Sequence, residues 1–280
     1  MILIDGKKIS EEILGEVKKE IETLPFQPVF CDVLVGHDFA SEKYVKMKAQ
    51  VAERIGMKFQ NASFPESITN KELVQEIEEL NKVENMCGII VQLPLPSSLD
   101  TRIVLDAINP SFDVDALGNE NSRKFYAGEK SLGLPTALAC MYILESLRLD
   151  LNNLNIVVLG QGELVGKPVS ALLTQKGYKH VTLRSKTENK DDILKNADVI
   201  ISGIGRGAYI KGDMIKKGAV IIDAGTSESG AGLVGDVDLE SVREVAGCVS
   251  PVPGGVGPVT VAMLFRNVLE VAKNINKNSE

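Results

Sequence analysis

The sequence predicts an α/β protein of two domains, each built on a parallel sheet that is covered by helices. Its 280 residues exceed the usual size of a single domain. Apolar, β-branched runs such as GIIVQL (88–93) alternate with segments of helical periodicity along the whole chain. Strands that are apolar on both faces are typical of parallel sheets, and regular strand–helix alternation favours the same arrangement.

The composition excludes several classes of protein. The net charge of -7 argues against general binding to nucleic acid or to membranes. With only two histidines, and four dispersed cysteines that form no CxxC pair, we expect no metal site. No apolar run reaches the roughly 20 residues that span a bilayer. The start MILIDGKKISEE lacks the order of a secretory signal, so we expect a cytoplasmic protein.

The first half of the chain contains three helical patterns with candidate N-caps. Ser10 precedes apolar residues that recur at helical spacing from 13 to 24, and Ser41 opens a helical segment over 41–56. Thr69 and Glu72 have the spacing of a capping box at the start of a helix over 69–81. Strands are predicted between these helices, at 29–36, 57–64 and 88–93.

The second half repeats this rhythm after a helix over 135–147 that joins the two halves. A last helix over 260–275 follows a glycine-rich turn, with its first turn near Pro258. The strands predicted here are 155–160, 180–185, 198–204 and 219–225.

A glycine-rich loop follows the first strand of the second half, in IVVLGQGELVGKP (156–168). Gly160, Gly162 and Gly166 are spaced one residue wider than the usual dinucleotide fingerprint. A bare backbone can approach a pyrophosphate closely, and the N-terminus of the next helix offers unpaired N–H groups to it. An ordinary strand–turn–helix connection is the alternative, but three glycines in this context favour a nicotinamide cofactor.

The residues after the second strand of this half bear on which cofactor binds. NAD-binding units usually carry an acid there for the ribose hydroxyls. This chain has Arg184, Ser185, Lys186 and Thr187 instead. Cations and hydroxyls suit a ribose phosphate, so we predict NADP, with NAD and a merely solvated basic strand end as alternatives.

Three residues of the first half share one helix face, because Ser41, Tyr44 and Lys48 lie at i, i+3 and i+7. A tyrosine four residues before a lysine is a familiar catalytic spacing, but in short-chain dehydrogenases that pair follows the glycine loop. The spacing alone therefore favours a surface helix with one aromatic residue. Gln92 ends a strand just before Pro94, at the edge of the sheet where ligands bind in open α/β folds.

Two carboxylates and a second glycine-rich turn complete the candidates. Asp113 and Asp115 flank Val114, and alternation would point only one of them inward, where it could accept paired hydrogen bonds from an aminopyrimidine ring. We expect the other to stay solvated; an ordinary acidic turn is the alternative. The segment SPVPGGVGPVTVAM (250–263) has a bare backbone that suggests close approach to a ligand or to the other domain.

Taken in order, these segments resemble the bifunctional methylenetetrahydrofolate dehydrogenase/cyclohydrolase family across almost the whole chain. The matching segments are SEKYVKMKA, GIIVQLPLP, DVDA, VVLGQGELVGKP, VIIDAG, LVGDVD and SPVPGGVGPVTVAML. The resemblance implies a folate-binding catalytic domain, residues 1–140 completed by 260–280, and a Rossmann-type NADP-binding domain, residues 141–259. Folate would bind between the two domains, and the protein would be a homodimer.

The activity implied by the resemblance is a two-step conversion in one-carbon metabolism, which supplies purine biosynthesis. Methylenetetrahydrofolate is oxidised to the methenyl form by hydride transfer to NADP, and the methenyl form is then hydrolysed to formyltetrahydrofolate. Lys48 would be the central catalytic residue, contacted and tuned by Gln92. Tyr44 would pack against the pterin, and Asp115 would hold its amino face. Because glutamine is neutral, we expect the lysine not to be locked as an ammonium, as it would be beside a carboxylate.

The remaining site residues are predicted in two sets. The folate set also includes Ser41, Pro253, Gly254 and Gly255. The cofactor set comprises Gly160, Gln161, Gly162, Val165, Gly166, Arg184, Ser185, Gly225, Thr226, Gly257 and Thr260. We expect Glu163, an acid inside the glycine loop, to point to solvent.

The chain departs from the family's common pattern at four places. Ala116 stands where glycine usually follows the second aspartate, and Pro135, Thr136 and Ala137 replace Cys-Thr-Pro. Both changes bear on the folate pocket. Gln161 and Gly162 replace an Arg-Ser pair, and Arg184 replaces a histidine. A cation is thus lost from the loop and gained at the second strand, which we interpret as relocated phosphate recognition.

Several alternatives to the bifunctional enzyme stay open on the sequence. One is a monofunctional or NAD-dependent methylenetetrahydrofolate dehydrogenase. Another is a shikimate-dehydrogenase-like protein, which shares the two-domain plan but would not be expected to carry QLPLP or PVPGGVGP. The third is a non-catalytic folate- or nucleotide-binding relative. Retention of Lys48 and Gln92 argues against a monofunctional enzyme, and retention of Tyr44, Lys48, Gln92 and Asp115 argues against a non-catalytic relative, whereas use of NAD stays open.

Overall fold

The computed structural model describes residues 1–37, 39–229 and 232–279. Its chain divides into two compact units. We call Glu12–Leu134 with Leu264–Glu280 the N-terminal unit, and Met1–Glu11 with Pro135–Met263 the C-terminal unit. These limits lie a few residues from the predicted domain boundaries, except that the first eleven residues group with the C-terminal unit.

The first half of the chain contains the three predicted strands and two short helices that the sequence did not predict. Its elements are β1 (Ile2–Leu3), α1 (Gly6–Ile21), β2 (Val29–Val35), α2 (Phe39–Arg54), β3 (Lys58–Phe64), α3 (Asn70–Leu80), β4 (Met86–Val91), α4 (Thr101–Asp106) and α5 (Asn119–Tyr126). The short helices α4 and α5 lie between β4 and the joining helix, where the loop DVDA also lies.

The sheet of the N-terminal unit has three parallel strands in the order β3-β2-β4. β2 is the central strand, and all seven of its residues are buried. Cys31 and Val33 on one face belong to a core that includes Leu73 and Ile77 of α3. On the other face the ring of Phe30 packs edge-on against Phe265, with centroids 5.2 Å apart. A strand covered on both faces is apolar throughout, so a polar residue within it requires a partner.

The helix starts confirm one predicted cap and correct two. Thr69 and Glu72 form a complete capping box at the start of α3. Ser10 is not an N-cap, because α1 begins at Gly6 and the Asp5 carboxylate accepts a hydrogen bond from the Lys8 amide at 3.0 Å. Ser41 also lies inside its helix, since α2 begins at Phe39. The residue before Phe39 lies outside the described residues.

The second half of the chain contains the four predicted strands, the joining helix and the final helix. Its elements are α6 (Pro135–Ser146), β5 (Ile156–Leu159), α7 (Gly166–Gln175), β6 (His180–Leu183), α8 (Lys190–Lys195), β7 (Val199–Ser202), β8 (Val220–Asp223), β9 (Ser227–Ser229), β10 (Gly232–Val234), α9 (Leu239–Val242), β11 (Cys248–Val249) and α10 (Val256–Ser279). Two single-turn 3₁₀ helices lie at Leu151–Asn153 and Gly212–Met214.

The sheet of the C-terminal unit has six parallel strands in the order β1-β11-β8-β7-β5-β6, and β9 and β10 form a separate antiparallel hairpin. From β5 the chain crosses to β6 on one side and then returns to β7 on the other. The carboxyl end of β5 is therefore the topological switch point of the sheet, where open α/β folds bind ligands. The glycine-rich loop begins at this point, with Gly160.

The predicted α/β fold class is confirmed, with a parallel sheet in each unit. Across the part of the chain that the structure describes, no helix is long and apolar enough to cross a membrane. Within the same residues, no group of three or more histidine, cysteine, aspartate or glutamate side chains is arranged to hold a metal ion. All four cysteines are buried free thiols.

Candidate active site

Lys48 is a buried residue on α2, with 5% of its surface exposed. Its ammonium nitrogen Nζ donates a hydrogen bond to Gln92 Oε1 at 2.7 Å. Gln92 follows β4 directly, and its backbone amide bonds to the Val33 carbonyl of β2 at 2.8 Å. The contact that the resemblance implied between the two side chains is therefore present, and the sheet fixes the glutamine that makes it.

A second, unpredicted partner of Lys48 comes from the middle of β2. Asp32 Oδ2 lies 2.6 Å from Lys48 Nζ, and the aspartate is completely buried. Among the described residues neither oxygen of the Asp32 carboxylate has a hydrogen-bond partner of good geometry, so the charge of the adjacent ammonium is the main compensation for this carboxylate. The expectation that Lys48 has only a neutral neighbour is wrong, because the strand that carries Asp32 runs directly beneath the lysine.

The surroundings of Asp32 act on its protonation in opposite directions. Burial has the larger effect and raises the pKa of its carboxyl group above the ordinary value, although the nearby Lys48 ammonium acts to lower that pKa. The sequence did contain a signal for this residue. A single carboxylate in the strand VFCDVLV cannot reach water in a parallel sheet, so it needs a buried cation or donor.

Asp113 caps a turn and is not solvated. It is 2% exposed, and its carboxylate accepts hydrogen bonds from the Gly118 amide at 3.0 Å and from the Asn121 side chain at 3.3 Å. The expectation that one aspartate of the DVDA segment stays in solvent is thus wrong. The turn before α5 needs an acceptor for its backbone amides, and Asp113 supplies it.

Asp115 is the carboxylate that shares its surroundings with Lys48. Desolvation raises its pKa to about 7, the Lys48 ammonium opposes this rise, and the charges of Asp113 and Asp32 add to it. Its side chain is half-buried and therefore still accessible to a ligand. Near neutral pH this group is poised between a carboxylate, which accepts hydrogen bonds, and an acid.

The residue after Asp115 has a left-handed backbone. Ala116 adopts φ +56° and is completely buried. In this region glycine is favoured over every residue that carries a Cβ atom. The turn therefore explains physically why glycine is common at this position of the family, and why alanine here carries backbone strain.

Ser41 and Tyr44 lie on α2, about two turns and one turn before Lys48, respectively. Ser41 is buried, whereas Tyr44 is 42% exposed. An exposed ring beside the buried lysine can stack on a flat ligand, which is the role predicted for Tyr44.

The glycines of the loop after β5 are required for different physical reasons. A Cβ atom at Gly166 would lie 2.2 Å from the Gly160 carbonyl oxygen, so Gly166 is needed for the close packing of loop and helix. Gly160 itself has φ +100°. At Gly162 the nearest atom to an added Cβ is 4.0 Å away, so only a ligand would require glycine there.

The backbone of this loop fits an anion. Within the described ranges, the amides of Gly162, Glu163 and Leu164 have no hydrogen-bond partner, and they precede the N-terminus of α7. Unpaired amides beside a helix N-terminus are suited to a pyrophosphate. The loop therefore offers backbone donors of the kind that a pyrophosphate requires.

The two polar side chains of the loop turn away from its amides. Gln161 Nε2 donates to the Gly160 carbonyl at 3.0 Å and to Ser170 Oγ of α7 at 3.1 Å. Glu163 is 71% exposed and pairs with Lys167 at 3.0 Å, as expected for a side chain that points to solvent. Gln161 thus links the loop to the helix that follows it.

Arg184 and Ser185 follow β6 and are exposed. The Arg184 amide donates to Thr187 Oγ1 at 2.8 Å, which shapes the turn. In the part of the chain described, the guanidinium of Arg184 forms no ion pair. It can therefore bind a phosphate without first breaking a salt bridge.

Asp223 and Asp236 are two buried carboxylates near the carboxyl ends of β7 and β8 that were not predicted from the sequence. Asp223 accepts hydrogen bonds from the amides of Gly225, Asp236 and Val237 at 2.9 to 3.1 Å, and Asp236 accepts from Ser202 Oγ at 2.6 Å. Burial raises the pKa of Asp223 to about 6. A Cβ atom at Gly225 would overlap the Asp236 carboxylate at 2.1 Å, so this glycine is required by packing, and Thr226 after it is exposed.

The second glycine-rich turn leads into α10, which begins at Val256, so Pro258 lies in the first turn of the helix as predicted. Gly254 has φ +104°, and a Cβ atom at Gly255 would lie 2.5 Å from the Pro251 carbonyl oxygen. The other predicted residues here are Pro253 and Gly257, which are exposed, and Thr260, whose hydroxyl donates to the Val256 carbonyl at 3.2 Å.

Comparison with known proteins accounts for both units. Residues 4–115 match the model of the tetrahydrofolate dehydrogenase/cyclohydrolase catalytic domain, and residues 135–276 match the NAD(P)-binding domain of the same family. The chain is 40% identical over 275 residues to the bifunctional protein FolD of Staphylococcus aureus, covering 97% of this chain and 96% of the relative.

Solved structures agree with these matches. The bifunctional FolD enzyme of Campylobacter jejuni is similar with a TM-score of 0.94 and 35% identity, over 98% of this chain and 99% of that one. The enzyme of Trypanosoma brucei, solved with NADP and an inhibitor, has a TM-score of 0.91 and 32% identity, over 98% of both chains. The predicted two-domain enzyme, with a catalytic and a dinucleotide-binding domain, is confirmed, and the chain belongs to the tetrahydrofolate dehydrogenase/cyclohydrolase family.

Proposed function

We propose that this chain oxidises methylenetetrahydrofolate to methenyltetrahydrofolate with NADP as hydride acceptor, and then hydrolyses the methenyl form to formyltetrahydrofolate. The family match and the bifunctional relatives support both activities. The observation that carries the proposal is the buried contact between Lys48 Nζ and Gln92 Oε1 at 2.7 Å. The Lys48 amine, positioned by the Gln92 side chain, can donate or accept a proton at a fixed location.

Hydrolysis of the methenyl carbon is the step that needs such a group. A proton must leave the attacking water, and another must reach the ring nitrogen when the carbon–nitrogen bond breaks. We assign both transfers to Lys48. Gln92 is assigned to orient the lysine, because its amide is anchored at the end of β4.

Folate binding is assigned to residues around this lysine. Asp115 would accept the paired donors of the pterin, since a carboxylate has two oxygens in one plane. The exposed ring of Tyr44 would pack against the pterin, and Ser41 supports the same helix face. The folate set also keeps Pro253, Gly254 and Gly255 as predictions.

The C-terminal unit is assigned the cofactor. NADP, when bound, supplies the nicotinamide ring that accepts the hydride. The pyrophosphate would be held by the loop at Gly160, Gly162 and Gly166, whose unpaired amides provide the donors. The ribose phosphate would be held by Arg184 and Ser185, both exposed after β6. The assigned set is completed by Gln161, Val165, Gly225, Thr226, Gly257 and Thr260.

We also propose that the enzyme is a cytoplasmic homodimer. Support for the assembly comes from the family resemblance and from β6, an edge strand of the sheet whose Val181 is 48% exposed. The four buried free thiols are consistent with a reducing compartment. Light scattering on the purified protein tests the dimer, and a monomer mass at micromolar concentration would contradict it.

The experiment that tests the function supplies purified protein with methylenetetrahydrofolate and either NADP or NAD. Reduced cofactor, methenyl product and formyl product are followed separately. We expect reduction with NADP and formation of the formyl product. Lack of turnover with both cofactors would leave a non-catalytic binding protein, and methenyl accumulation without hydrolysis at any pH would leave a monofunctional dehydrogenase.

A further inference from the structure

We propose that Asp32 stabilises the ammonium form of Lys48. Hydrolysis then requires Lys48 to lose a proton first, whereas hydride transfer does not. Asp32 is a positioning residue, because it acts through Lys48 and does not reach the substrate. The proposal rests on the function assigned above and adds to it a determinant of the balance between the two reactions. Neither the family match nor the sequence pattern assigns any role to this aspartate.

Asp32 and Lys48 form a buried ion pair. Asp32 Oδ2 lies 2.6 Å from Lys48 Nζ, and the carboxylate is completely buried at the centre of β2. Solvent does not reach the Asp32 carboxylate, and among the described residues neither of its oxygens has another partner. An opposite charge at this distance favours the charged form of an amine, and low exposure removes the screening by solvent.

The other charged groups around Lys48 do not replace Asp32. Gln92 is neutral and accepts one hydrogen bond. Asp115 interacts with the Lys48 charge, but it is the carboxylate assigned to the pterin, so bound folate engages it. Asp113 is occupied by the amides of the turn before α5. On β2 itself the neighbour Cys31 is a neutral thiol, since burial raises its pKa to about 12.

The consequence separates the two reactions. In hydrolysis the amine must remove a proton from water as the carbon–oxygen bond forms, and an ammonium ion cannot do so until its own proton has left for solvent. The reaction releases one proton overall, from cation and water to neutral formyl product. Hydride transfer needs no proton acceptor, because a hydride leaves the methylene carbon and the methenyl cation remains. Asp32 therefore slows only the second step at neutral pH.

The test compares Asp32→Asn and Asp32→Val with the wild-type enzyme. The asparagine keeps the shape and the hydrogen-bond acceptor without the charge, and the valine matches the apolar neighbours of the strand. Cys31→Ala is the matched control, because Cys31 is equally buried on the same strand but on its opposite face. The readout is hydrolysis of methenyltetrahydrofolate as a function of pH, together with the hydride-transfer rate under the same conditions.

We expect hydrolysis to become fast at a lower pH in both Asp32 variants than in the wild type, because the carboxylate beside Lys48 has been removed. Hydrolysis near neutral pH should rise several-fold relative to hydride transfer, and Cys31→Ala should leave the pH profile unchanged. An unmoved profile in Asp32→Asn, or hydrolysis that falls at every pH, would overturn the proposal.

A second measurement is independent of activity. The side-chain carbons of Lys48 can be titrated by NMR in protein labelled on lysine, with Lys48→Met to identify the signal. We expect the ammonium form of Lys48 to persist to higher pH in wild type than in Asp32→Asn. Identical titration in the two proteins would refute the inference even if the wild-type enzyme proved to have no hydrolytic activity, so its failure can be told from failure of the proposed function.

Discussion

Lys48 Nζ lies between two acceptors, with Asp32 Oδ2 at 2.6 Å and Gln92 Oε1 at 2.7 Å. The lysine therefore has a structural role as well as a chemical one, because it compensates a fully buried carboxylate. Removing one partner of a buried ion pair is costly, whereas replacing both by apolar residues of similar size often is not. This difference allows the two roles to be separated.

Replacing Lys48 with methionine should abolish hydrolysis, with a loss of about 100-fold or more, since no other group is assigned to the proton transfers. The same change should destabilise the protein by about 3–5 kcal/mol, because Asp32 is left without its cation. Thermal unfolding and the hydrolysis rate measure the two effects. In the double variant Lys48→Met with Asp32→Val, stability should return and hydrolysis should not. Recovery of hydrolysis in that variant would disprove the role of Lys48.

The raised pKa of Asp115 predicts pH-dependent folate binding. Only the carboxylate accepts both donors of the pterin, so affinity should weaken as pH falls through about 7. The limiting slope is about tenfold per pH unit. The KM for folate in the dehydrogenase reaction reports this loss. Asp115→Asn should show weak binding at all pH values, and an unchanged pH dependence in that variant would assign the titration to another group.

The same shift has a consequence for stability in the free protein. A carboxyl pKa raised from 3.8 to about 7 by burial means that the folded state favours the protonated form. Stability from this group is full below about pH 4 and is lost as pH rises towards 7. Asp115→Asn should therefore raise the Tm above pH 7 but not at acidic pH. Equal effects of the substitution at both extremes would contradict the assigned shift.

Two glycines of the cofactor loop should respond differently to alanine. Gly166→Ala places a Cβ atom 2.2 Å from the Gly160 carbonyl oxygen, so it should destabilise the protein by about 1–3 kcal/mol. Gly162→Ala meets no atom closer than 4.0 Å and should leave the Tm unchanged. It should still weaken NADP binding, because the methyl group would stand where the pyrophosphate approaches. Normal NADP affinity in Gly162→Ala would remove this loop from the assigned site.

Arg184 should distinguish the two nicotinamide cofactors. Arg184→Ala is expected to weaken NADP binding far more than NAD binding, because only NADP carries the ribose phosphate. Lys179→Ala is the matched control, since it removes one exposed cation at the opposite end of the same strand. Dissociation constants for both cofactors decide the matter. Equal losses for NADP and NAD in Arg184→Ala would mean that Arg184 does not recognise the phosphate.

The strained Ala116 can be tested against another buried alanine. Replacing Ala116 with glycine loses a methyl group worth about 0.8 kcal/mol but relieves a left-handed backbone worth about 1–2 kcal/mol. The stability should therefore stay within about 1 kcal/mol of wild type. Ala139→Gly, beyond the first turn of α6 and equally buried, should lose about 2 kcal/mol, because helix propensity adds to the lost methyl group. Similar losses in both variants would mean that Ala116 is unstrained.

Much of the fold could be predicted because periodicity and capping are local. The seven long strands, the capping box at Thr69 and the position of the glycine loop at the switch point all follow from short stretches of sequence. Ser10 and Ser41 failed as caps because a helix can begin earlier when another residue, here Asp5 for α1, satisfies its first amides. The short helices α4 and α5 have too few turns to show a periodic pattern.

Site residues that belong to a sequence motif could be predicted. Contacts that depend on how distant segments pack together could not. The contact between Lys48 and Gln92 came with the family's pattern, but the pairing with Asp32 depends on which strand lies beneath α2. Alternation predicts a solvated Asp113, because this pattern takes no account of the backbone amides of a turn. In both cases the missing information was a partner distant in sequence or a backbone group, which a residue pattern does not contain.

The most direct test of the account follows both methylene hydrogens in one experiment. Methylenetetrahydrofolate carrying two deuterium atoms on its methylene carbon is turned over with NADP, and the products are analysed by mass spectrometry. The account predicts one deuterium in reduced NADP and the other on the formyl carbon of formyltetrahydrofolate. Absence of deuterium from either product would contradict this prediction, because hydride transfer and hydrolysis would then not both occur on this chain.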